Sequence, residues 1–323
     1  LIPIHLLSGA YFDYTSDNWF VAFSGIDNFP AAAIGRIPAD TSVEVQNYVA
    51  KVLAYESGAA KPSGQDLVLI SDKDQIGGEQ FAARLNKLSS DLTNANSQIK
   101  MSKIDRAPLT DAQMKSSIIG AFNSPPNFIN YLGHGAENMW AGGAVFTNTD
   151  AAALTNSRLP VVVAMDCLNA SFADANSNIS YDSIAETLLF NPNGGAIAVW
   201  ASSSMTSPNV QALYQEDFYF LVAKNQAATI GEAQRLTKVN RGWSKGTAEV
   251  VGSWAVLGDP MVSVFMSPPI PASGSSSSSS HGFLSCSAFG GDSSTNDTGA
   301  FLELLFLLGV LMFAKLLQRC RTG

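Results

Sequence analysis

The chain has 323 residues, enough for one large domain with a substantial core or for two small ones. Hydrophobic residues make up 46% and charged residues 14%, where an ordinary soluble domain has about a quarter charged. The deficit comes from an apolar C-terminus and a Ser, Asn, Thr and Gly surface often met in exported proteins, and a net charge of −8 with no basic run before the last residues argues against nucleic acid as a partner.

The first residue is Leu1, not Met, and no signal peptide precedes it; the chain opens inside a strand over residues 1–7 and the front is read as cut. Residues 17–23 read as a strand edge and 31–36 as a short buried run. A helix is expected over 41–55, because Thr41 can cap, Glu44 follows at capping-box spacing, and Val45, Tyr48, Val49, Val52 and Leu53 form one face. Residues 67–70 are a buried strand running into Ser71-Asp72-Lys73-Asp74, with a helix at 80–88, a short strand at 99–104 and a helix at 111–122. Residues 128–132 are a strand ending in Gly133-His134-Gly135, and 160–165 are the strongest strand, ending in Asp166-Cys167. A helix at 183–190, a buried strand at 196–200 and helices at 210–223 and 230–239 complete the folded part.

Strands that are apolar throughout and alternate with helices predict an α/β fold with a mostly parallel sheet covered on both faces. Such sheets bind ligands beyond the carboxyl ends of their strands, and His134 and Cys167 each follow such an end. Of three cysteines, Cys286 and Cys320 lie in the tail, so a disulfide framework is excluded for the main domain and Cys167 needs another explanation. A lone cysteine after an apolar strand is often a small buried hydrophobe. A histidine placed at the end of a neighbouring strand changes that balance, because a thiol that attacks an amide needs a base and oxyanion donors. Cys167 is therefore the candidate nucleophile and His134 the candidate base, with the N–H groups of Gly135 and Cys167 as the oxyanion hole; His5 is assigned to packing or surface. Asp166 beside a thiolate would raise the thiol pKa and is expected to point away. A serine hydrolase is disfavoured, because the Gly-x-Ser-x-Gly string at residues 242–246 follows the helix expected at 230–239 and not a strand, as a nucleophile elbow would need.

Strand then His-Gly, and strand then Asp-Cys, resembles the caspase and gingipain clan. Asn130-Tyr131-Leu132-Gly133-His134-Gly135 followed by Trp140 resembles the histidine motif of the gingipain family. So do Ala33-Ile34-Gly35-Arg36-Ile37-Pro38, the helix end Tyr55-Glu56, Leu154-Thr155-Asn156, Ile184-Ala185-Glu186 and Trp254-Ala255-Val256-Leu257-Gly258-Asp259-Pro260. The resemblance implies a three-layer caspase/gingipain-like sandwich over residues 1–267, a cysteine-type endopeptidase and protein or peptide substrates. It also implies an acidic residue after an upstream strand that orients the histidine, here Asp72 or Asp74, unless both cap the next helix or sit in a solvated turn. No cofactor is implied beyond structural calcium, and Asp17, Asp27 and Asp150 lie in loops whose spacing defines no site. Preference for basic side chains is not carried over, since the stretch 202–207 holds no Trp.

Residues 268–299 are a Pro- and Ser-rich linker ending in a Cys286-Ser287-Ala288-Phe289-Gly290-Gly291 motif and a polar stretch. Residues 300–323 hold an apolar segment followed by Lys315, Arg319 and Arg321, read as a transmembrane helix with its basic end cytoplasmic. This tail resembles tripartite C-terminal sorting signals of bacterial surface proteins. That implies export, surface association or secretion, and a sorting or processing protease acting near the motif, where Cys286 is either lipidated or part of the recognition sequence. Two alternatives to hydrolysis stay open: a transpeptidase of the same family and a catalytically silent surface module.

Overall fold

The computed structural model describes residues 3–10, 13–23, 29–75, 78–142, 145–173, 182–242 and 247–267. The linker, the Cys286 motif, the apolar tail segment and Asp27 lie outside these residues. Among the described residues no helix is long and apolar enough to cross a membrane.

β1 (Leu6–Ser8) pairs antiparallel with β2 (Asp13–Thr15), and α1 (Ser42–Glu56) follows. Then come β3 (Leu67–Ser71), α2 (Phe81–Ala95), β4 (Met101–Asp105), α3 (Asp111–Asn123) and β5 (Phe128–Leu132). Three two-residue strands, β6 (Gly135–Ala136), β7 (Met139–Trp140) and β8 (Phe146–Thr147), form a small antiparallel sheet that leads into α4 (Asn148–Ala152). The chain continues through β9 (Val161–Met165), α5 (Ile184–Phe190), β10 (Ala198–Ser202), α6 (Pro208–Ala223), α7 (Ile230–Arg241), α8 (Ala248–Ser253) and β11 (Trp254–Gly258). The main sheet has the order β11-β10-β9-β5-β3-β4; β11 is antiparallel to β10 and every other pairing is parallel.

Alternate side chains of these strands enter two cores. Leu67, Leu69, Val161, Val163 and Trp200 pack with Phe81 and Leu85 of α2 and Tyr214 and Phe218 of α6. Val68, Ile70, Ile129, Val162 and Val199 pack with Tyr48 of α1, Met114 and Ile118 of α3 and Leu188 of α5. With helices on both faces there is no solvated side, which is why the strands read as unbroken apolar runs. Each fully buried Val, Ile, Leu or Phe contributes roughly 1.5–3 kcal/mol, so the central strands carry much of the fold.

Capping boxes set the starts of α1 (Thr41 with Glu44), α3 (Thr110 with Gln113) and α5 (Ser183 with Glu186). α2 has no local cap. Its N-cap Gln80 sits in the left-handed region at φ 57°, and the N–H groups of Gln80 and Phe81 donate to Asp74 at 3.0 and 3.1 Å. The helix runs to Ala95, past the expected end at 88.

Three local expectations are corrected. The strand edge expected at 17–23 is a 3-10 turn over Asn18–Val21. Polar side chains hold it there: Asp17 pairs with Arg36, while buried Asn18 donates to Val251 O at 2.9 Å and accepts from Lys238 Nζ at 2.7 Å. The run 31–36 is irregular and mostly half-buried, and only Arg36 bridges the β11 edge, at Leu257. On α1, Val45, Val49 and Leu53 face outward at 43, 47 and 65% exposure, whereas Tyr48, Lys51 and Tyr55 are buried. Polar anchors decide this rotation. Tyr48 Oη donates to Ile197 O at 3.0 Å, and Lys51 Nζ donates to Leu189 O and Gly194 O, both at 2.8 Å, near the end of α5. Val49, Val52 and Leu53, with Ile34, Ile37 and Pro260, then line an open apolar groove of about 570 Å³.

Strands missing from the sequence reading are short or peripheral: β2, the β6–β8 sheet and the antiparallel edge β11. Sequence also did not flag α4 or α8.

Candidate active site

The register of the sheet brings the two candidate groups to one place. Leu132 of β5 is level with Met165 of β9, so His134 and Cys167 each stand two residues beyond a paired position on adjacent parallel strands. Ser71 of β3 is level with Leu132, which sets Asp72 beside Gly133. Gly133 can only be glycine, because a Cβ there would overlap Asp72 and the Tyr131 hydroxyl.

His134 is held by its backbone. Its N–H donates to Asp72 Oδ2 at 3.2 Å, and its carbonyl accepts from Tyr131 Oη and from the Ala141 N–H, both at 2.7 Å. The imidazole is partly exposed and packs edge-on to Phe81, with ring centroids 5.3 Å apart. Its Nε2 lies 2.8 Å from Glu79 Oε1, off the line of the N–H, so the contact is close but not an aligned hydrogen bond. The other Glu79 oxygen accepts from the Gln75 N–H at 2.7 Å, which aims the carboxylate.

Neither aspartate expected to orient the histidine meets its ring. Asp72 is fully buried, paired with Arg106 Nη1 at 2.7 Å, and also accepts from the Lys73 N–H at 2.8 Å. Its link to His134 is through the backbone only. Asp74 caps α2, as one reading of the sequence allowed. Sequence reasoning did not single out Glu79, the carboxylate that lies beside the ring. The loop after β3 offers three carboxylates, Asp72, Asp74 and Glu79, and no spacing rule selects the one whose side chain turns back to the imidazole.

Cys167 is half-buried and its Sγ sits between the Thr206 carbonyl at 3.7 Å and the Thr206 N–H at 3.5 Å. Gln211 Nε2 steadies that loop, donating to Thr206 Oγ1 at 2.8 Å and Asp166 O at 3.3 Å. Burial pushes the thiol up to about 11, so at neutral pH it is a neutral thiol and must lose its proton to a base before attack. Leu168, the next residue, occupies the left-handed region at φ 68°, an uncommon state for a branched side chain. This reverses the chain, and the N–H groups of Leu168 and Ala170 reach Ser204 O (3.2 Å) and Ser202 O (2.9 Å) beyond β10.

No acceptor meets the Cys167 N–H among the described residues. Ala141 N–H donates to His134 O, so the neighbouring Gly135 and Trp140 are a non-hydrogen-bonded pair of the β6–β7 ladder, which leaves the Gly135 N–H out of that ladder. A side chain at Gly135 would overlap the carboxyl of Asp166. Asp166 is fully buried beneath this turn, and neither of its carboxyl oxygens has a partner among the described residues. Burial, reinforced by the charge of Asp72, holds its carboxyl well above the usual range.

His5 stacks on Trp19 with centroids 5.0 Å apart. Asp17 is taken by Arg36 and Asp150 by Lys115 at 2.8 Å, and no group of acidic, His and Cys side chains fit for a metal occurs among the described residues.

Comparison with known proteins places the fold and the family. Gingipain R2 and gingipain R1 of Porphyromonas gingivalis are each 25% identical over 266 residues, 77% of this chain. The alignment covers 35% of the former and 26% of the latter, so the chain spans about a third or less of these relatives. The solved structure of the Arg-specific cysteine proteinase gingipain R superposes with a TM-score of 0.66 at 21% identity, covering 81% of this chain and 61% of that one. A complex of RgpB pro- and mature domains from the same organism gives a TM-score of 0.63, covering 77% and 60%. At this identity the structures speak for the fold. The family model for peptidase family C25 matches residues 1–265, and the chain belongs to that family.

Proposed function

We infer that the protein is a cysteine-type endopeptidase in which Cys167 is the nucleophile, His134 the general base and then general acid, and Glu79 the group that orients the imidazole. The observation that carries this reading is the sheet register, which sets His134 and Cys167 at the same height on adjacent strands, with a carboxylate 2.8 Å from Nε2. As Nε2 is engaged by Glu79, Nδ1 is the nitrogen left to take the thiol proton. Attack of the thiolate on the scissile carbonyl forms a C–S bond and an oxyanion, which the Gly135 and Cys167 N–H groups receive. Collapse breaks the C–N bond, and the imidazolium gives its proton to the departing amine. Water then attacks the thioester while the imidazole takes its proton, releasing the carboxylic acid and restoring the thiol. Donors of this kind contribute about 10²–10³ in kcat each.

Polypeptides are the substrates. The relatives include an Arg-specific enzyme. Here the loop 202–207, which touches the thiol through Thr206, holds no Trp, and a basic preference is not transferred. Export fits the family and the Ser- and Asn-rich composition, with residues 268–323 as a sorting tail.

The test is a peptidyl acyloxymethyl ketone library applied to the full chain, followed by mass mapping and by assay of Cys167→Ala. A single adduct on Cys167, and loss of at least about 10³-fold of turnover in the variant, is expected. Full turnover by Cys167→Ala would remove this thiol as nucleophile.

A further inference from the structure

Asn169, two residues beyond Cys167, is fully buried and its carboxamide is fully used. Its Oδ1 accepts from Trp140 Nε1 at 2.6 Å, and its Nδ2 donates to Ala136 O at 2.7 Å. Longer approaches from Nδ2 to Met139 O (3.4 Å) and to Cys167 O (3.5 Å) leave the amide lying across both loops of the site. One side chain on the cysteine loop thus grips both strands of the β6–β7 hairpin, the hairpin that opens with Gly135.

Both ends of the grip are anchored. On the cysteine side, the Asn169 carbonyl accepts from the Ala185 N–H at 3.2 Å, and the flanking N–H groups are tied to Ser202 and Ser204. On the histidine side, Trp140 stacks on Tyr131 at 4.7 Å with an interplanar angle of 2°, and Tyr131 Oη donates to His134 O. Asn169, Trp140, Tyr131 and the His134 carbonyl therefore form one buried relay. No apolar residue could replace Asn169 without stranding the buried Trp140 indole N–H away from water.

We propose that Asn169 is a positioning residue: its carboxamide sets the β6–β7 hairpin, and with it the Gly135 N–H, at the right distance from Cys167. The inference rests on the reading of Cys167 as nucleophile and Gly135 as oxyanion donor. An oxyanion donor acts only within about 2.7–3.1 Å of the developing charge, so a small drift of the hairpin is felt in the transition state and not in substrate binding.

The experiment compares wild type, Cys167→Ala, Asn169→Ala and Asn169→Asp as full chains. Three quantities are read: hydrolysis of the tetrapeptide that wild type cleaves fastest, inhibition by the aldehyde of its acyl half, and alkylation of Cys167 by iodoacetamide. For Asn169→Ala, kcat should fall about 10–100-fold with KM within about 3-fold, and aldehyde affinity should fall in parallel. Alkylation, which needs no oxyanion hole, should change less than about 3-fold. Asn169→Asp keeps the size and the acceptor for Trp140 but turns a carboxylate toward Ala136 O. Its activity relative to wild type should rise as pH falls through the carboxyl pKa, because the protonated acid regains the donor. Alkylation and hydrolysis lost to the same extent, or an Asp-to-Asn activity ratio flat with pH, would overturn the inference. If Asn169→Ala does not fold, the pH-dependent ratio alone decides. Undiminished hydrolysis by Cys167→Ala would instead sink the underlying assignment of the nucleophile.

Discussion

The carboxyl ends of β3, β5 and β9 and the outer face of α1 make opposite use of the same residue types. At the strand ends, several polar side chains are buried and engaged, Asp72 with Arg106, Asn169 with Trp140 and Glu79 with His134. On α1 two polar side chains turn inward, Tyr48 and Lys51, bound to carbonyls beneath the helix, while Val45, Val49 and Leu53 face out. The lesson concerns what an apolar stripe can promise. Periodicity states which residues share a face. The rotation of the helix is set by whichever contacts cost most to lose, and a buried carbonyl at a helix end is costly to leave unpaired. At the strand ends no such freedom exists, because the parallel register of the sheet dictates which loops meet.

That contrast makes the strand ends the place where single substitutions should be most severe. Arg106→Leu is expected to cost about 3–5 kcal/mol in urea unfolding, since it leaves the Asp72 carboxylate buried with only backbone N–H donors. A loss under about 1 kcal/mol would mean that those donors suffice and that the ion pair is dispensable. Next in size is Glu79→Gln, expected to lower kcat about 10–100-fold with KM little changed, because a neutral amide orients the imidazole but stabilises the imidazolium poorly. Asp74→Asn, read beside it, should cost about 1 kcal/mol of stability through the α2 cap and leave kcat within about 3-fold. Equal kcat losses for the two would return the orienting role to the loop as a whole. The smallest effects belong to α1: Val49→Ser and Leu53→Ser should each change unfolding free energy by no more than about 0.5 kcal/mol. Losses above about 2 kcal/mol would show that the groove is covered in solution and would dissolve the contrast.

Much of this was written locally. β5, preceded by Ser124-Pro125-Pro126 and followed by Gly133, matches the expected span, and β3 and β9 differ from theirs by one residue at an end, because their apolar runs are bounded by polar or turn residues. The capping residues of α1 and α5 mark those starts for the same reason. α2 defied it, since its cap comes from Asp74 across a loop, and such a contact has no fixed spacing.

The sequence by itself determined the α/β alternation, the parallel sheet covered on both faces, and the pairing of a histidine loop with a cysteine loop. Each of these follows from hydrophobic pattern and from the rule that parallel strands put their carboxyl ends on one edge. Only the tertiary structure decided which carboxylate faces His134, that Asp166 is buried under Gly135, which side of α1 is buried, and that Asn169 clasps the two loops. Those outcomes depend on distances between side chains far apart in the chain. Backbone pattern limits such distances, but packing and the cost of leaving buried polar atoms unpaired select among them.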